Sequence, residues 1–246
     1  MNSKRQPTTT IVTPTYNERE NLPTLVASLR AVGPSINLLI VDDHSPDGTG
    51  ELADELAAEF PRIQVLHRRA KLGLGTAYVE GFRWALAQGS DYIFSMDGDL
   101  SHDPKYLPDF LRELATNDVV IGSRYLNGIS VVNWPLSRLI LSYFANQYVQ
   151  RTTGLRVRDC TSGYVGYRRQ VLEQIHFESV HSEGYAFLIE MKYRARRLNF
   201  RLCEVPIIFV DRRMGQSKLS QRVFLEAFWL PWRLAAGRLL RRDPLA

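Results

Sequence analysis

Cysteine is scarce in this chain. Cys160 and Cys203 are the only two in 246 residues and stand far apart, which supports neither a disulfide framework nor a zinc site and makes a reducing compartment the expected setting. An apolar signal core is missing as well. Met1 to Thr10 is polar, so no export signal is expected and the chain is expected to stay in the cytoplasm. The sequence also lacks a spanning helix. Its most aromatic segment, Leu219 to Leu240, is interrupted by Glu226, Pro231, Arg233 and Arg238, which suits a membrane-spanning helix poorly. No repeat, low-complexity tract or Pro/Gly-rich linker divides the chain, so it reads as one folded unit. A formal charge of +5 invites a nucleic-acid reading, but there is no RNA-binding aromatic motif, zinc-finger spacing or helix-turn-helix pattern to support one.

What is present is ample core material, at 45% hydrophobic and 23% charged residues, an ordinary globular balance. Apolar, β-branched runs recur at Thr10–Val12, Leu38–Val41, Ile63–Leu66, Tyr92–Phe94 and Val119–Ile121. Between them, Leu22–Leu29, Leu52–Phe60 and Ala77–Ala87 carry apolar residues at three- and four-residue steps. Alternation of this kind predicts an α/β fold with a mostly parallel open sheet flanked by helices. A helix over Trp134–Arg151, an irregular turn at Asp159–Gly163, a helix over Gly184–Arg197 and a strand over Val205–Val210 are expected to follow.

Open parallel sheets bind ligands at the carboxyl ends of their strands, and there the chemistry-bearing residues fall. Pro14-Thr-Tyr16-Asn-Glu18 follows the first strand, Asp42-Asp43-His44-Ser45-Pro-Asp47 the second, Lys71-Leu-Gly73-Leu-Gly75-Thr76 the third and Asp97-Gly98-Asp99-Leu-Ser101-His102 the fourth. Two acids one residue apart at a strand end suit a divalent cation shared with a diphosphate, or else form a solvated acidic turn. Asp43 suits acceptance of hydrogen bonds from a base or ribose, or helix capping beside Ser45 and Asp47. Glu18 is similarly placed, although Asn17 with Glu20 suits capping too. The glycines after Lys71 resemble a phosphate cradle without the Gly-Lys-Ser ending of a P-loop. Arg124, after the fifth strand, suits a bidentate phosphate clamp or an ordinary surface position.

Read together, these segments resemble the polyprenyl-phosphate (dolichyl-phosphate) mannose synthases, inverting family 2 glycosyltransferases of the Rossmann-like GT-A fold. The resemblance rests on Pro14–Leu22, Asp42–Thr49, Lys71–Ala77, Met96–His102, Gly122–Tyr125, and Glu204–Arg212 with Gly215–Leu219, and spans nearly the whole chain in order. It implies that Pro14, Tyr16, Glu18, Val41 and Asp43 contact the guanosine part of GDP-mannose, and that Asp97, Gly98 and Asp99 meet its ribose and diphosphate side. It further implies Mg²⁺ or Mn²⁺ held by Asp97, Asp99 and Ser101, with Asp99 the principal ligand, and Arg124, Arg212 and Lys218 binding the donor and acceptor phosphates. The catalytic set on this reading is Asp99, Arg124, Arg212 and Lys218. Gly98 stands where Ala is usual in the family, and His44 where Gly is common.

The implied reaction is mannose transfer to a polyprenyl phosphate with inversion. A UDP-glucose-dependent polyprenyl-phosphate glucosyltransferase is the nearest rival, and a non-catalytic sugar-nucleotide-binding membrane scaffold the rival from another class. Residues 1–218 are expected to form the catalytic domain and 219–246 an amphipathic helix in the same unit. Its tryptophans and arginines suit a membrane interface, although packing on the core or a subunit is the competing expectation. A peripheral position on the cytoplasmic face of a membrane follows, with a separate membrane-anchor protein as an optional partner and no nucleic acid.

Overall fold

The computed structural model of the chain describes residues 6–33, 35–211 and 228–236. From the amino end run β1 (Thr9–Thr15), α1 (Leu22–Val32), β2 (Asn37–Asp42), α2 (Thr49–Glu59), β3 (Ile63–His67), α3 (Leu74–Ala87), β4 (Tyr92–Ser95), α4 (Leu107–Leu114) and β5 (Val119–Ser123). Then come β6 (Val131–Val132), α5 (Leu136–Thr153), β7 (Val165–Arg168), α6 (Arg169–Gln174), α7 (Gly184–Arg197), β8 (Leu202–Pro206) and β9 (Phe209–Val210). Seven strands form the main sheet in the order β3-β2-β1-β4-β7-β5-β8, and β6 pairs with β9 in a second sheet.

Covered on both faces, the sheet sorts its side chains by parity. Val12, Leu39 and Val41 face α3 and α7 in one core layer, while Ile11, Leu38 and Ile40 face α1, α2 and α4 in the other. The first layer is thick with rings: Tyr78 stacks on Phe82 at 5.6 Å and on Phe187 at 5.9 Å, and Phe82 meets Tyr167 edge-on at 5.7 Å. Such pairs add geometric specificity to their apolar burial.

Five expected strands and the three early helices form, and α7 has the bounds expected for it. Three differences matter. β7 is antiparallel and wedges between β4 and β5, so the sheet is mixed. The strand expected over Val205–Val210 is two: β8 runs parallel to β5, and past Ile207 the chain leaves for β6. The helix expected from Trp134 starts at Leu136 instead, because Pro135 precedes it in an extended conformation.

Strand order places a crevice. β1 pairs with β4 only as far as Val12–Ser95 but continues beside β2 to Thr15–Asp42. Pro14, which has no N–H to offer, sits where β4 has already parted from β1. β2 and β3 extend to one side of β1 and β4 lies on the other, the switch point at which open sheets take ligands.

Close packing of α3 on this part of the sheet depends on Gly81, where an added Cβ would lie 2.3 Å from Val12 Cγ1. Gly81→Ala is expected to destabilise, because about 1–3 kcal/mol of overpacking outweighs the roughly 0.5–1 kcal/mol of helix propensity gained. A urea midpoint equal to that of the parent chain would contradict this packing.

Candidate active site

The crevice opens into a cavity of about 490 Å³. Pro14, Tyr16 and Glu18 come from the end of β1, Asp43 from β2, Lys71 and Gly73 from the approach to α3, and Asp97, Gly98, Asp99 and His102 from beyond β4. Arg124, Arg138, Thr161 to Gly163, Glu183 to Tyr185, Phe209 and Asp211 close the other side. Most of the sequence-identified residues therefore meet in one place. Val41 does not join the wall: its side chain is buried in the core, and it bears on the site by carrying Asp43. Arg212 and Lys218 lie outside the described residues.

At the β4 end, Asp97 Oδ1 accepts from the Tyr78 hydroxyl at 3.1 Å, and the Asp97 N–H donates to His102 Nδ1 at 3.1 Å. With Nδ1 an acceptor, the neutral ring carries its proton on Nε2. Tyr78 is buried and its phenol is pushed far above the ordinary range, first by burial and then by Asp97, which keeps it a donor. Asp99 is nearly buried, and its Oδ1 takes both the N–H and the hydroxyl of Ser101, at 3.1 and 2.5 Å. The Ser101 hydroxyl is thus turned onto Asp99, where it orients the carboxylate. At Gly98 an added Cβ would meet the Thr13 methyl at 3.3 Å and the Thr15 methyl at 3.4 Å, so a side chain there would need β1 to give by a few tenths of an ångström.

The acid pair fits a divalent cation of one kind. No group of three or more His, Cys, Asp or Glu placed to hold a metal occurs among the described residues. Two carboxylates on one cavity wall, accepting from Tyr78 and Ser101, suit a hard cation whose remaining ligands are phosphate oxygens and water.

Asp43 is not a helix cap: the N-cap of α2 is Gly48, and Asp47 just before it accepts from the Thr49 N–H at 3.1 Å and the Thr49 hydroxyl at 2.6 Å. Asp43 is buried, and its carboxylate accepts from Arg68 Nη1 at 2.6 Å, the Leu72 N–H at 3.0 Å and the Gly73 N–H at 3.0 Å. Two N–H groups of the supposed phosphate cradle are therefore already committed to a protein carboxylate. Lys71 Nζ lies over the Tyr16 ring, 3.8 Å from its centroid, a cation–π contact. The turn is held close to the loop before α7, since an added Cβ on Gly75 would stand 2.6 Å from the Ser182 carbonyl oxygen. His44 adopts φ 60°, a left-handed conformation that glycine takes without strain.

Arg124 departs furthest from its expected surroundings. It is buried, and its Nε and Nη2 each donate to Asp159 at 2.6 Å while Nη2 also reaches the Thr161 hydroxyl at 2.7 Å. Trp134, Phe209 and Tyr125 surround the guanidinium with ring centroids 5.4 to 5.5 Å away. Burial alone would raise the Asp159 carboxyl; the Arg124 guanidinium outweighs it and holds that carboxyl below its ordinary range. Burial likewise opposes the charge on Arg124, yet Asp159 raises its pKa further. The Nε/Nη2 edge of the fork is thus committed to Asp159 and Thr161, and Arg124 is a buried member of the cavity wall rather than a surface arginine.

Sequence reasoning missed Asp159, Arg138 and Lys192. Arg138, in the first turn of α5, donates through Nη1 to both Asp211 oxygens at 2.8 and 2.9 Å and lies over Trp134 at 4.2 Å. Lys192 is buried beneath the site and donates to the Ser162 carbonyl at 2.7 Å and the Leu188 carbonyl at 3.1 Å. A charged residue inside the apolar pattern of α7 was the available signal for it.

Beside the cavity the surface turns apolar. On α5, Leu136, Ile140, Tyr143 and Phe144 follow a helical repeat and are all exposed, Leu136 and Phe144 by more than 60%. Segment 228–236 is helical and packs alongside: the Tyr148 hydroxyl donates to the Phe228 carbonyl at 2.6 Å, and that of Tyr193 to the Leu234 carbonyl at 3.0 Å. Leu230 is buried in the core while Trp229 and Trp232 face outward. Over the described residues 228–236 the packing expectation is met through Leu230, and Trp229 and Trp232 remain open to the outside. Among the described residues no helix is long and apolar enough to cross a membrane.

A mostly parallel sheet with an acid pair, a tyrosine and two arginines around its switch point is the framework of a sugar-nucleotide glycosyltransferase. The profile of glycosyl transferase family 2 matches residues 10–176, and the chain belongs to that family. It is 47% identical to an undecaprenyl-phosphate mannosyltransferase of Micrococcus luteus, over 88% of this chain and 89% of the relative. It is also 47% identical to a polyprenol monophosphomannose synthase of Mycolicibacterium smegmatis, over 90% of this chain and 84% of the relative. Among solved structures, glucosyl-3-phosphoglycerate synthase of Mycobacterium tuberculosis, in complex with UDP, superposes with a TM-score of 0.66 at 17% identity, covering 94% of this chain and 80% of the other. A mannosyltransferase of Pyrobaculum calidifontis, in complex with GDP-Man and Mn²⁺, superposes with a TM-score of 0.57 at 15% identity, covering 99% and 77%. These likenesses establish the GT-A fold.

Lys192 generates a pH-dependent expectation. Burial, the largest influence, lowers its pKa to about 8 from 10.5 despite nearby Asp159. Between those values the unfolded chain binds a proton that the folded chain does not, so this group's contribution raises stability as pH climbs from about 8 toward 10.5. The urea midpoint of the parent chain, relative to Lys192→Met, is expected to rise between pH 7.5 and 9.5. A constant difference would show that Lys192 does not titrate in that window.

Proposed function

We propose that the chain transfers mannose from GDP-mannose to a polyprenyl phosphate, with inversion at the anomeric carbon. The observation that carries this reading is the Asp97/Asp99 pair at the switch point of the sheet, in a cavity that runs from Tyr16 to Arg138. The mannosyltransferase relatives at 47% identity support the sugar and the lipid class of the acceptor. On this reading Pro14, Tyr16 and Glu18 receive the nucleoside. Asp43 acts mainly by holding the turn beside them, and Asp97, Gly98 and Asp99 face the diphosphate.

Mg²⁺ or Mn²⁺, held by Asp97 and Asp99, would neutralise the leaving nucleoside diphosphate. Arg124 and Arg138 lie at the end nearest the exposed apolar face of α5, where an acceptor phosphate would enter, and Arg212 and Lys218 complete the cationic set. An acceptor phosphate is already anionic near neutral pH, so alignment and charge neutralisation are the protein's principal tasks and a strong general base is dispensable. One phosphate oxygen forms the new bond to C1 of mannose as the bond from C1 to the GDP oxygen breaks.

The acceptor's hydrocarbon gives the exposed residues of α5 and of segment 228–236 a purpose. Tryptophan favours the headgroup zone and the apolar stripe favours the acyl boundary, which supports a peripheral position on a membrane; the cytoplasmic face is part of the same proposal. A separate anchor protein is then optional. Packing of Phe228 and Leu234 against Tyr148 and Tyr193 supports the described part of the 219–246 segment, residues 228–236, as part of the same unit as the catalytic domain, 1–218.

Incubation with labelled GDP-mannose, polyprenyl phosphate and Mg²⁺ or Mn²⁺ is expected to move label into the lipid extract, and a parallel UDP-glucose incubation is not. Asp99→Asn keeps the shape but removes the charge, so a folded Asp99→Asn variant is expected to lose turnover. Full activity of that variant, or of the parent chain in EDTA, would remove the metal from the reaction.

A second measurement concerns the surface. Trp229→Ser combined with Trp232→Ser is expected to weaken binding to anionic vesicles and transfer to long-chain acceptor in vesicles, while transfer to a short, water-soluble prenyl phosphate stays near the parent level. Unchanged vesicle binding by the folded double variant would assign membrane contact to α5 alone or to another protein.

A further inference from the structure

Arg68 stands just past β3, and its backbone N–H extends the sheet by donating to the Asp42 carbonyl at 2.9 Å. Its side chain is 1% exposed, yet every guanidinium nitrogen is used. Nη1 donates to Asp43 at 2.6 Å and to the Gly73 carbonyl at 3.2 Å, Nη2 to the Thr76 hydroxyl at 2.7 Å, and Nε to Glu80 at 3.1 Å. One buried cation thereby connects the ends of β2 and β3 with the first turn of α3.

The part it connects is one wall of the cavity. Asp43 is gripped by Arg68 from behind and accepts the Leu72 and Gly73 N–H groups in front. The position of that turn decides where Lys71 stands, and Lys71 lies on the ring of Tyr16. Lysine would not reproduce this: a single ammonium cannot place donors toward Asp43, Gly73, Thr76 and Glu80 at once, as a planar guanidinium does. Without Arg68, Asp43 is a buried carboxylate that has lost its cation, and the turn has lost its anchor.

We propose that Arg68 is a positioning residue for the nucleoside half of the donor, fixing Asp43 and the Lys71–Gly73 turn around Tyr16 without touching the nucleotide. The proposal rests on the donor reading above. It differs from a purely structural role by predicting a selective loss: nucleotide affinity falls while the chemical step, carried out at the opposite end of the cavity, does not.

The test is GDP affinity of the parent chain, Arg68→Lys and Arg68→Met by calorimetry, in Mn²⁺ and again in EDTA, with UDP alongside and steady-state kinetics on GDP-mannose. Loss of one charge-assisted hydrogen bond in this network predicts Kd and KM raised by about tenfold or more in Arg68→Met and by a smaller factor in Arg68→Lys. The same factor is expected with and without metal, with kcat at saturating donor within about threefold. Arg68→Lys keeps a charge beside Asp43 and supplies the folded comparison if Arg68→Met does not fold. A GDP affinity within twofold of the parent chain in a folded variant, an effect confined to Mn²⁺, or kcat falling as much as affinity would overturn the proposal. If the parent chain binds UDP instead of GDP, only the donor base above is wrong, and the Arg68 comparison is read with UDP. If it binds neither, both readings fall.

Discussion

The parting of β1 from β4 beyond Val12 and Ser95 is the constraint on which the site depends. Up to that register the two strands share hydrogen bonds; past it β1 keeps company with β2 alone, and the opened wedge becomes the cavity. Because β1, β2 and β4 are parallel, their carboxyl ends arrive together and bring Tyr16, Asp43 and the Asp97/Asp99 pair to one rim. Antiparallel β7 makes the complementary contribution. Its entrance, not its exit, lies at that rim, so the preceding segment Asp159–Gly163 reaches the cavity and supplies the partner of Arg124. A fully parallel sheet would have sent this segment to the opposite edge.

Charge at the site is organised by internal pairing. Arg68 with Asp43, Arg124 with Asp159 and Arg138 with Asp211 each join an arginine to a carboxylate from a distant part of the chain. The first two pairs are buried, where loss of either member would strand a charge. Pairing of this kind also fixes rotamers before any ligand arrives. A phosphate or ribose then meets a surface whose reorganisation has largely been completed during folding, the condition under which electrostatic stabilisation is most effective.

Periodicity made much of this fold legible. The Val/Ile-rich runs identified β1 to β5, and the three- and four-residue steps identified α1 to α3 and α7, because burial on both faces of a sheet and on one face of a helix leaves those signatures. β7 escaped because Val165–Arg168 is short and carries Gly166, which lets the Phe94 ring pack against the strand. α4 escaped because Pro104 and Pro108 resemble loop punctuation, although proline also suits the first turn of a helix. At the site, residue types and strand ends were enough to collect Pro14, Tyr16, Glu18, Asp43, Asp97 and Asp99. The partners were not legible: nothing local in Arg124 or Asp43 announces Asp159, 35 residues away, or Arg68, 25 residues away. Which donor satisfies a buried carboxylate is decided by topology.

Arg138 lines the cavity from the same helical turn that presents Leu136 to the outside. For a lipid-borne acceptor, that adjacency means the two substrates arrive from spaces of different dimensionality: the nucleotide sugar from bulk solution, the acceptor by lateral diffusion along a surface. Turnover would then respond to the area density of the acceptor, and dilution with inert lipid would slow the reaction even at constant overall concentration. The glycosylated product would depart sideways, leaving the spent nucleotide as the only product released into water.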